Sequence, residues 1–187
     1  MNNWGKLIAE YNDMRYFCTD PVAVVRRCKT KKDIEVMGIV CSWLALGNRN
    51  QIFKKCCFAY DLMSGKPYDY LMSGFWRQYK NSEVNFYRMF FYRDFYDLMQ
   101  SLYVIYQQYD TLEEAIIIHN SQSAIHNSYL DALVSLLHAN GIPQNTKSAC
   151  KRLCLFLRWM IRRDGIVDLG VWQQLNPADL LIPLDVH

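Results

Sequence analysis

Apolar residues recur at helical spacing along most of the chain. Trp4, Leu7, Ile8 and Tyr11 share one face and predict a helix over about 2–17, which Asp20-Pro21 ends or follows with a short turn. Thr30 is a natural N-cap, and Asp33 stands three residues on, where a capping box usually has Glu. The helix it opens carries Ile34, Met37, Ile39, Val40, Trp43, Leu44 and Leu46. It is apolar nearly all round and is predicted to be central in the core, with Gly47 as its C′ residue. Asn48-Arg49-Asn50-Gln51 reads as a short polar connection. A second helix over about 51–64 follows, with Lys54 and Lys55 on one side and Ile52, Phe53, Phe58 and Leu62 on another.

Residues 83–109 are dense in Phe and Tyr. They read as a helical core with a polar-tipped rim, in preference to a base-stacking surface. Thr111-Leu112-Glu113-Glu114 is a capping box before a short helix. Another helix is predicted over about 123–138, closed by Asn140-Gly141. The turn Ile142–Lys147 then launches a long helix to about Arg163. A short helical stretch is expected near 168–175, and a turn at Asn176-Pro177-Ala178-Asp179. No β-ribbon pattern runs beyond a few residues, so the fold class is all-α. The predicted organisation is a single helical domain over 1–187, with a helical core at about 31–138 and a hairpin, basic helix and aspartate loop at 139–187.

Composition narrows the classes. Half the residues are hydrophobic (51%) and 21% are charged, which excludes disorder as the main state. No apolar run approaches the roughly 20 residues that span a bilayer. The N-terminus lacks a secretory apolar region, so the protein is expected to be cytoplasmic and away from membranes. Seven cysteines cannot all pair within one chain, and none are spaced C-x-x-C. They read as small buried hydrophobes, with no metal site and no cofactor implied. His119, His126 and His138 read as surface or rim residues.

The net charge of +3 is mild, but its distribution is not. Lys147, Lys151, Arg152, Arg158, Arg162 and Arg163 fall within 147–163, where there is no acidic residue. Lys147, Lys151, Arg158 and Arg162 are spaced by 4, 7 and 4, which puts them on one helical face. Such a face binds phosphate, is simply solvated, or is paired with Asp and Glu from elsewhere in the fold. A helix starting at Thr146-Lys147 adds outward backbone N–H groups and a positive dipole end. Lys147 in the first turn, partly buried beside Lys151, would have a depressed pKa, as a Schiff-base lysine needs.

Thr146-Lys147-Ser148-Ala149, followed in order by Pro183-Leu184-Asp185-Val186-His187, resembles helix-hairpin-helix DNA glycosylases of the 8-oxoguanine type. The resemblance implies a glycosylase-like helical bundle, here lacking that type's C-terminal helices, and damaged double-stranded DNA as partner. It implies that Lys147 attacks the sugar C1′ of a flipped-out nucleotide while Asp185 assists. Asn145, Thr146, Lys151, Arg152, Arg158, Arg162 and His187 would then contact nucleic acid. Asn48, Arg49 and Asn50 would fill the gap in the duplex or touch the partner strand; otherwise they form an ordinary helix connection. The hairpin reads Gly141-Ile142-Pro143-Gln144-Asn145, without the second glycine of Leu-Pro-Gly-Val-Gly, and the cysteine cluster of the iron–sulfur subgroup is absent. A non-catalytic nucleic-acid-binding module on the same scaffold, or a protein-interaction domain, is the alternative. Most of the chain also resembles an uncharacterised bacterial family known only as a domain of unknown function. That resemblance rests on Lys32-Asp33-Ile34-Glu35, Leu46-Gly47-Asn48-Arg49, Ser148–Leu153 and Phe156–Met160.

Overall fold

Asp20 caps a short helix, α1 (Pro21–Val25), its carboxylate accepting the Val22 N–H at 3.0 Å. Thr30 caps α2 (Lys31–Leu44) by accepting the Asp33 N–H at 3.1 Å. Asp33 does not close the box on the backbone. One oxygen takes the Thr30 hydroxyl at 2.6 Å, and the other takes the Tyr68 N–H at 2.9 Å. The cap of one helix is thereby tied to the start of another. These positions belong to the computed structural model, which describes residues 18–122 and 128–183. The predicted helix at 2–17, part of the predicted helix at 123–138, His126, Asp185 and His187 lie outside the described residues.

Val36, Met37, Ile39, Val40, Trp43 and Leu44 are fully buried, so α2 is the central helix that its all-round apolar pattern requires. It stops two residues short of Leu46, and Gly47 follows with φ +112°. Helix α3 (Arg49–Leu62) starts earlier than predicted, because Asn48 is its N-cap, accepting the Asn50 N–H at 3.0 Å. Helix α4 (Pro67–Ser73) and a 3-10 helix (Phe75–Tyr79) lead to a small antiparallel hairpin, β1 (Asn85–Tyr87) and β2 (Phe90–Phe91), and a second 3-10 helix lies in the tail at Pro177–Asp179. The chain is mostly helical, with this hairpin as its sheet among the described residues. Helices α5 (Tyr92–Gln108), α6 (Leu112–Gln122), α7 (Tyr129–Leu136) and α8 (Lys151–Ile161) complete the helical set. Among the described residues no helix is long and apolar enough to cross a membrane.

The aromatic segment goes into the core. Phe86, Phe90 and Phe95 are buried, with Phe86 stacked on Phe95 (5.0 Å, 8°) and Trp43 on Phe90 (4.3 Å, 25°). Helix α8 packs against α2 at Gly38, where a Cβ would lie 2.9 Å from the Phe156 ring. A second tie is polar. Glu35 of α2 is fully buried and accepts from the Tyr106 hydroxyl (2.6 Å), the Leu112 N–H (3.0 Å) and the Trp172 indole N–H (2.7 Å). Next to it, buried Glu113 takes the Lys31 ammonium and the Gln174 N–H. These two carboxylates join α2, α5, α6 and the C-terminal tail.

Two predicted helical stretches are corrected. The basic helix begins at Lys151, not Lys147, and ends at Ile161. Its N-cap, Cys150, has φ +46°, so the chain enters sharply and residues 147–150 cannot be helical. Residues 168–175 are irregular, not helical, with Gly170 at φ +59°. Their backbone caps the end of α8, with the Leu169 and Gly170 N–H groups on the Trp159 carbonyl and the Trp172 N–H on the Met160 carbonyl.

Candidate functional site

The segment joining α7 and α8 is pinned to the middle of the fold at its start. Gly141 has φ +84°, and a Cβ there would lie 2.6 Å from the Phe90 ring. The Trp43 indole N–H donates to the Asn140 carbonyl at 2.8 Å. Arg152 sends one guanidinium nitrogen to the Trp43 carbonyl at 2.7 Å and the other to the Gly141 carbonyl. Burial pushes the Arg152 pKa down, yet the two carbonyls face a cation that they favour. Arg152 therefore acts as a clamp on the turn.

Further along, Thr146 donates its hydroxyl to Asp131 at 2.5 Å, and Asn145 accepts the Lys147 N–H at 3.0 Å through its side chain. The Thr146 and Ser128 bonds hold the Asp131 carboxyl below its ordinary range. Lys147 is thus carried on an exposed turn, four residues ahead of α8. This corrects the expected placement in the first helical turn, and the side chain is exposed where partial burial was expected. Lys151 is also exposed and opens the helix.

Arg158, Arg162 and Arg163 have internal partners. Asp168, whose side chain is fully buried, accepts from Arg158 Nε at 3.1 Å and faces Arg162 Nε at 3.4 Å. Burial raises the Asp168 pKa, and the two arginines pull it back. Asp164 faces Arg162 at 3.7 Å and accepts the N–H groups of Ile166, Val167 and Asp168. Arg163 donates to the Trp172 and Gln173 carbonyls at 3.1 Å. Of the three readings of the basic face, pairing with carboxylates elsewhere in the fold describes Arg158 and Arg162. Sequence reasoning did not single out Asp164 and Asp168. Their only signal was their place just beyond a run of uncompensated arginines.

Even so, Lys151, Arg158 and Arg162 line one groove of about 460 Å³, closed on its other side by Leu180, Leu181 and Pro183 of the tail. A smaller cavity of about 200 Å³ lies between the 141–143 turn, Trp43 and the start of α8, and Lys151 lines both. Pro183 is the last described residue before the Leu184–His187 segment. Asn48 is committed to its cap, Arg49 pairs with Asp20 at 3.5 Å, and Asn50 is an exposed residue of the first turn of α3. Among the described residues, neither Asn48 nor Asn50 lines the α8 groove.

Outside this face, Lys55 of α3 stands apart. Its ammonium lies 3.7 Å from the Phe58 ring centre and 4.0 Å from that of Phe86, and burial lowers its pKa to about 8. Cys28, Cys41, Cys56, Cys150 and Cys154 are buried, and burial pushes the thiols of Cys28, Cys41 and Cys154 up, away from reactivity. Among the described residues no group of three or more His, Cys, Asp or Glu is arranged to hold a metal. His119 shares a hydrogen bond with the Ser135 hydroxyl at 3.1 Å, and His138 is exposed.

Comparison with curated proteins and with solved structures finds no match. A family model described as a protein of unknown function (DUF2400) matches residues 20–187, from the cap of α1 through the tail, and the chain belongs to that family.

Proposed function

We propose that the chain binds duplex DNA as a base-excision protein does, with the 141–151 turn and the α8 groove as its contact surface. The observation that carries this reading is the groove itself: Lys151, Arg158 and Arg162 share it with the tail that leads to Asp185. Phosphate oxygens would take Lys151 at the mouth of this groove and share Arg158 and Arg162 with Asp168, and binding would then release counterions. Within this reading Lys147 is the nucleophile and Asp185 the assisting carboxylate. The Lys147 amine forms a bond to C1′ of a flipped-out nucleotide while the bond from C1′ to the base breaks, and the base leaves with the electron pair. Asp185 offsets the positive charge that develops on the sugar. Opening of the sugar ring gives the Schiff base. Support for the chemical step is the Thr146-Lys147 and Pro-x-Asp-Val-His motifs alone.

The exposure of Lys147 on a turn favours a second reading, in which the same face binds DNA without chemistry. Borohydride trapping on abasic and 8-oxoguanine duplexes separates the two. Trapping by the wild type and none by Lys147→Gln supports the catalytic reading. Salt-sensitive DNA binding without trapping supports the binding module. Affinity that is independent of salt, or unchanged in Lys147→Glu/Lys151→Glu, removes the DNA proposal altogether.

A further inference from the structure

Three helix connections meet where α2 begins: α1 to α2, α3 to α4, and α5 to α6. Together they line a cavity of about 840 Å³. The connections are fastened to one another. Asp33 takes the Tyr68 N–H at 2.9 Å, Lys32 donates to Asp110 at 2.6 Å, and Lys31 donates to buried Glu113. The walls are therefore set before anything binds. Among the described residues that line the cavity, none belongs to α8 or to the 141–151 turn, so it has no part in the DNA-facing reading.

The lining carries an excess of positive charge. Arg27, Lys29, Lys31, Lys32 and Lys66 face the cavity, against Asp33, Asp69 and Asp110. Glu113 and Asp110 hold Lys31 and Lys32, and the Asp33 oxygens are taken by the Thr30 hydroxyl and the Tyr68 N–H. Lys66 meets Asp69 only at 3.7 Å with both side chains exposed, a pairing that water screens. Among the described residues neither Arg27 nor Lys29 has a carboxylate partner. The Arg27 guanidinium stands 5.9 Å from the Tyr60 ring centre and 6.0 Å from that of Phe53. Rings engage the face of a guanidinium and leave its in-plane N–H fork to an oxyanion. Tyr60 and Tyr68, both half-buried, add aromatic surface to the same lining.

We infer that this cavity binds a small molecule carrying a polyphosphate chain and a planar ring, of the nucleoside triphosphate class. Arg27 and Lys29 take phosphate oxygens, and Lys66 turns from Asp69 to join them. Tyr60 and Tyr68 offer ring surface to the base. A lone phosphate leaves most of 840 Å³ unfilled, whereas a nucleotide belongs to the size class that such cavities hold.

The test is isothermal titration of the native full chain with ATP, adenosine and inorganic phosphate. ATP is expected to bind more tightly than either fragment. Lys29→Gln should weaken ATP about threefold, and Arg27→Gln/Lys29→Gln about tenfold. Lys29 is exposed, so the single variant keeps the test open if the double variant loses stability. Lys147→Glu/Lys151→Glu should bind ATP as the wild type does, so failure of the DNA reading leaves this one standing. No binding of ATP, adenosine binding as tightly as ATP, or ATP affinity unchanged in both Lys29→Gln and the double variant would each overturn the assignment. So would ATP affinity lost in Lys147→Glu/Lys151→Glu, or duplex DNA affinity lost equally in Arg27→Gln/Lys29→Gln, since either result makes the cavity part of the DNA face.

Discussion

Glu35→Gln is the most direct test of how the four ends of this fold are held together. Glu35 Oε2 takes the Tyr106 hydroxyl (2.6 Å) and the Leu112 N–H (3.0 Å), and Oε1 takes the Trp172 indole N–H (2.7 Å) and, at 3.5 Å, the Glu113 N–H. Glutamine keeps the shape but has one oxygen. Placing its oxygen at the Oε1 position satisfies the indole and the Glu113 N–H, neither of which can turn away. Its NH₂ group then faces Tyr106, whose hydroxyl rotates to accept, and Leu112, whose N–H is left unbonded. One buried orphan donor costs about 1–3 kcal/mol, and that is the expected loss. Glu35→Ala orphans at least three donors and leaves a cavity, so its loss should exceed about 4 kcal/mol, in the range reserved for broken buried networks. Urea unfolding followed by tryptophan fluorescence reads both values, as a lowered midpoint with an unchanged slope.

The pH dependence gives that prediction a second axis. Burial, the largest influence, raises the Glu35 pKa against the opposing bonds from Tyr106, Leu112 and Trp172. The folded state therefore holds the proton more tightly than the unfolded chain. This contribution to stability is complete below the unfolded pKa of about 4.3 and is lost as pH rises through the higher folded value. The gap between wild type and Glu35→Gln should narrow from acid toward neutral pH. A Glu35→Gln protein within about 0.5 kcal/mol of wild type, or a gap that widens with pH, refutes the reasoning.

Three further outcomes are expected. Gly38→Ala should cost about 1–3 kcal/mol in thermal unfolding, because its Cβ meets the Phe156 ring at 2.9 Å and Met160 Cε at 3.1 Å; Phe156→Leu in the same chain should recover part of it. Gly141→Ala should cost about 2–5 kcal/mol, from a φ of +84° and a 2.6 Å approach to Phe90, and should weaken DNA binding in fluorescence anisotropy by loosening the turn. Asp168→Asn releases Arg158 toward the groove and leaves Arg162 facing Asp164, so the salt dependence of DNA affinity should steepen by about 0.9 in slope while stability falls; an unchanged slope would show that Arg158 never reaches phosphate.

What was legible in the sequence was mostly local. Helix α2 reads directly, because a Thr cap, an all-round apolar pattern and a following glycine all point the same way. The start of α8 did not, although Asn145 and Thr146 are good cap residues. Their side chains serve the turn instead, with Asn145 on the Lys147 N–H and Thr146 on Asp131 of α7. A contact 15 residues away competes with a cap and wins, and no local pattern records it. The tail fails for the same reason. Leu169, Val171 and Trp172 give an apolar rhythm, but the backbone N–H groups of Leu169, Gly170 and Trp172 go to carbonyls at the end of α8 and not to a helix of their own. The basic face was read correctly as a concentration of charge. Its counterions arrive through the Asp164-Gly165 turn, from a carboxylate that helical periodicity cannot place opposite Arg158.

Trp43 sits at the joint between the central helix and the 139–152 segment, giving its indole proton to Asn140 and its carbonyl to Arg152. A loop fastened this way has little freedom left to lose when something docks on it, so the entropy of ordering falls on the incoming molecule alone. The same residue is a built-in optical probe. Its ring is stacked on Phe90 and wholly shielded from water, so any event that lifts the loop changes its emission before the helices themselves unfold.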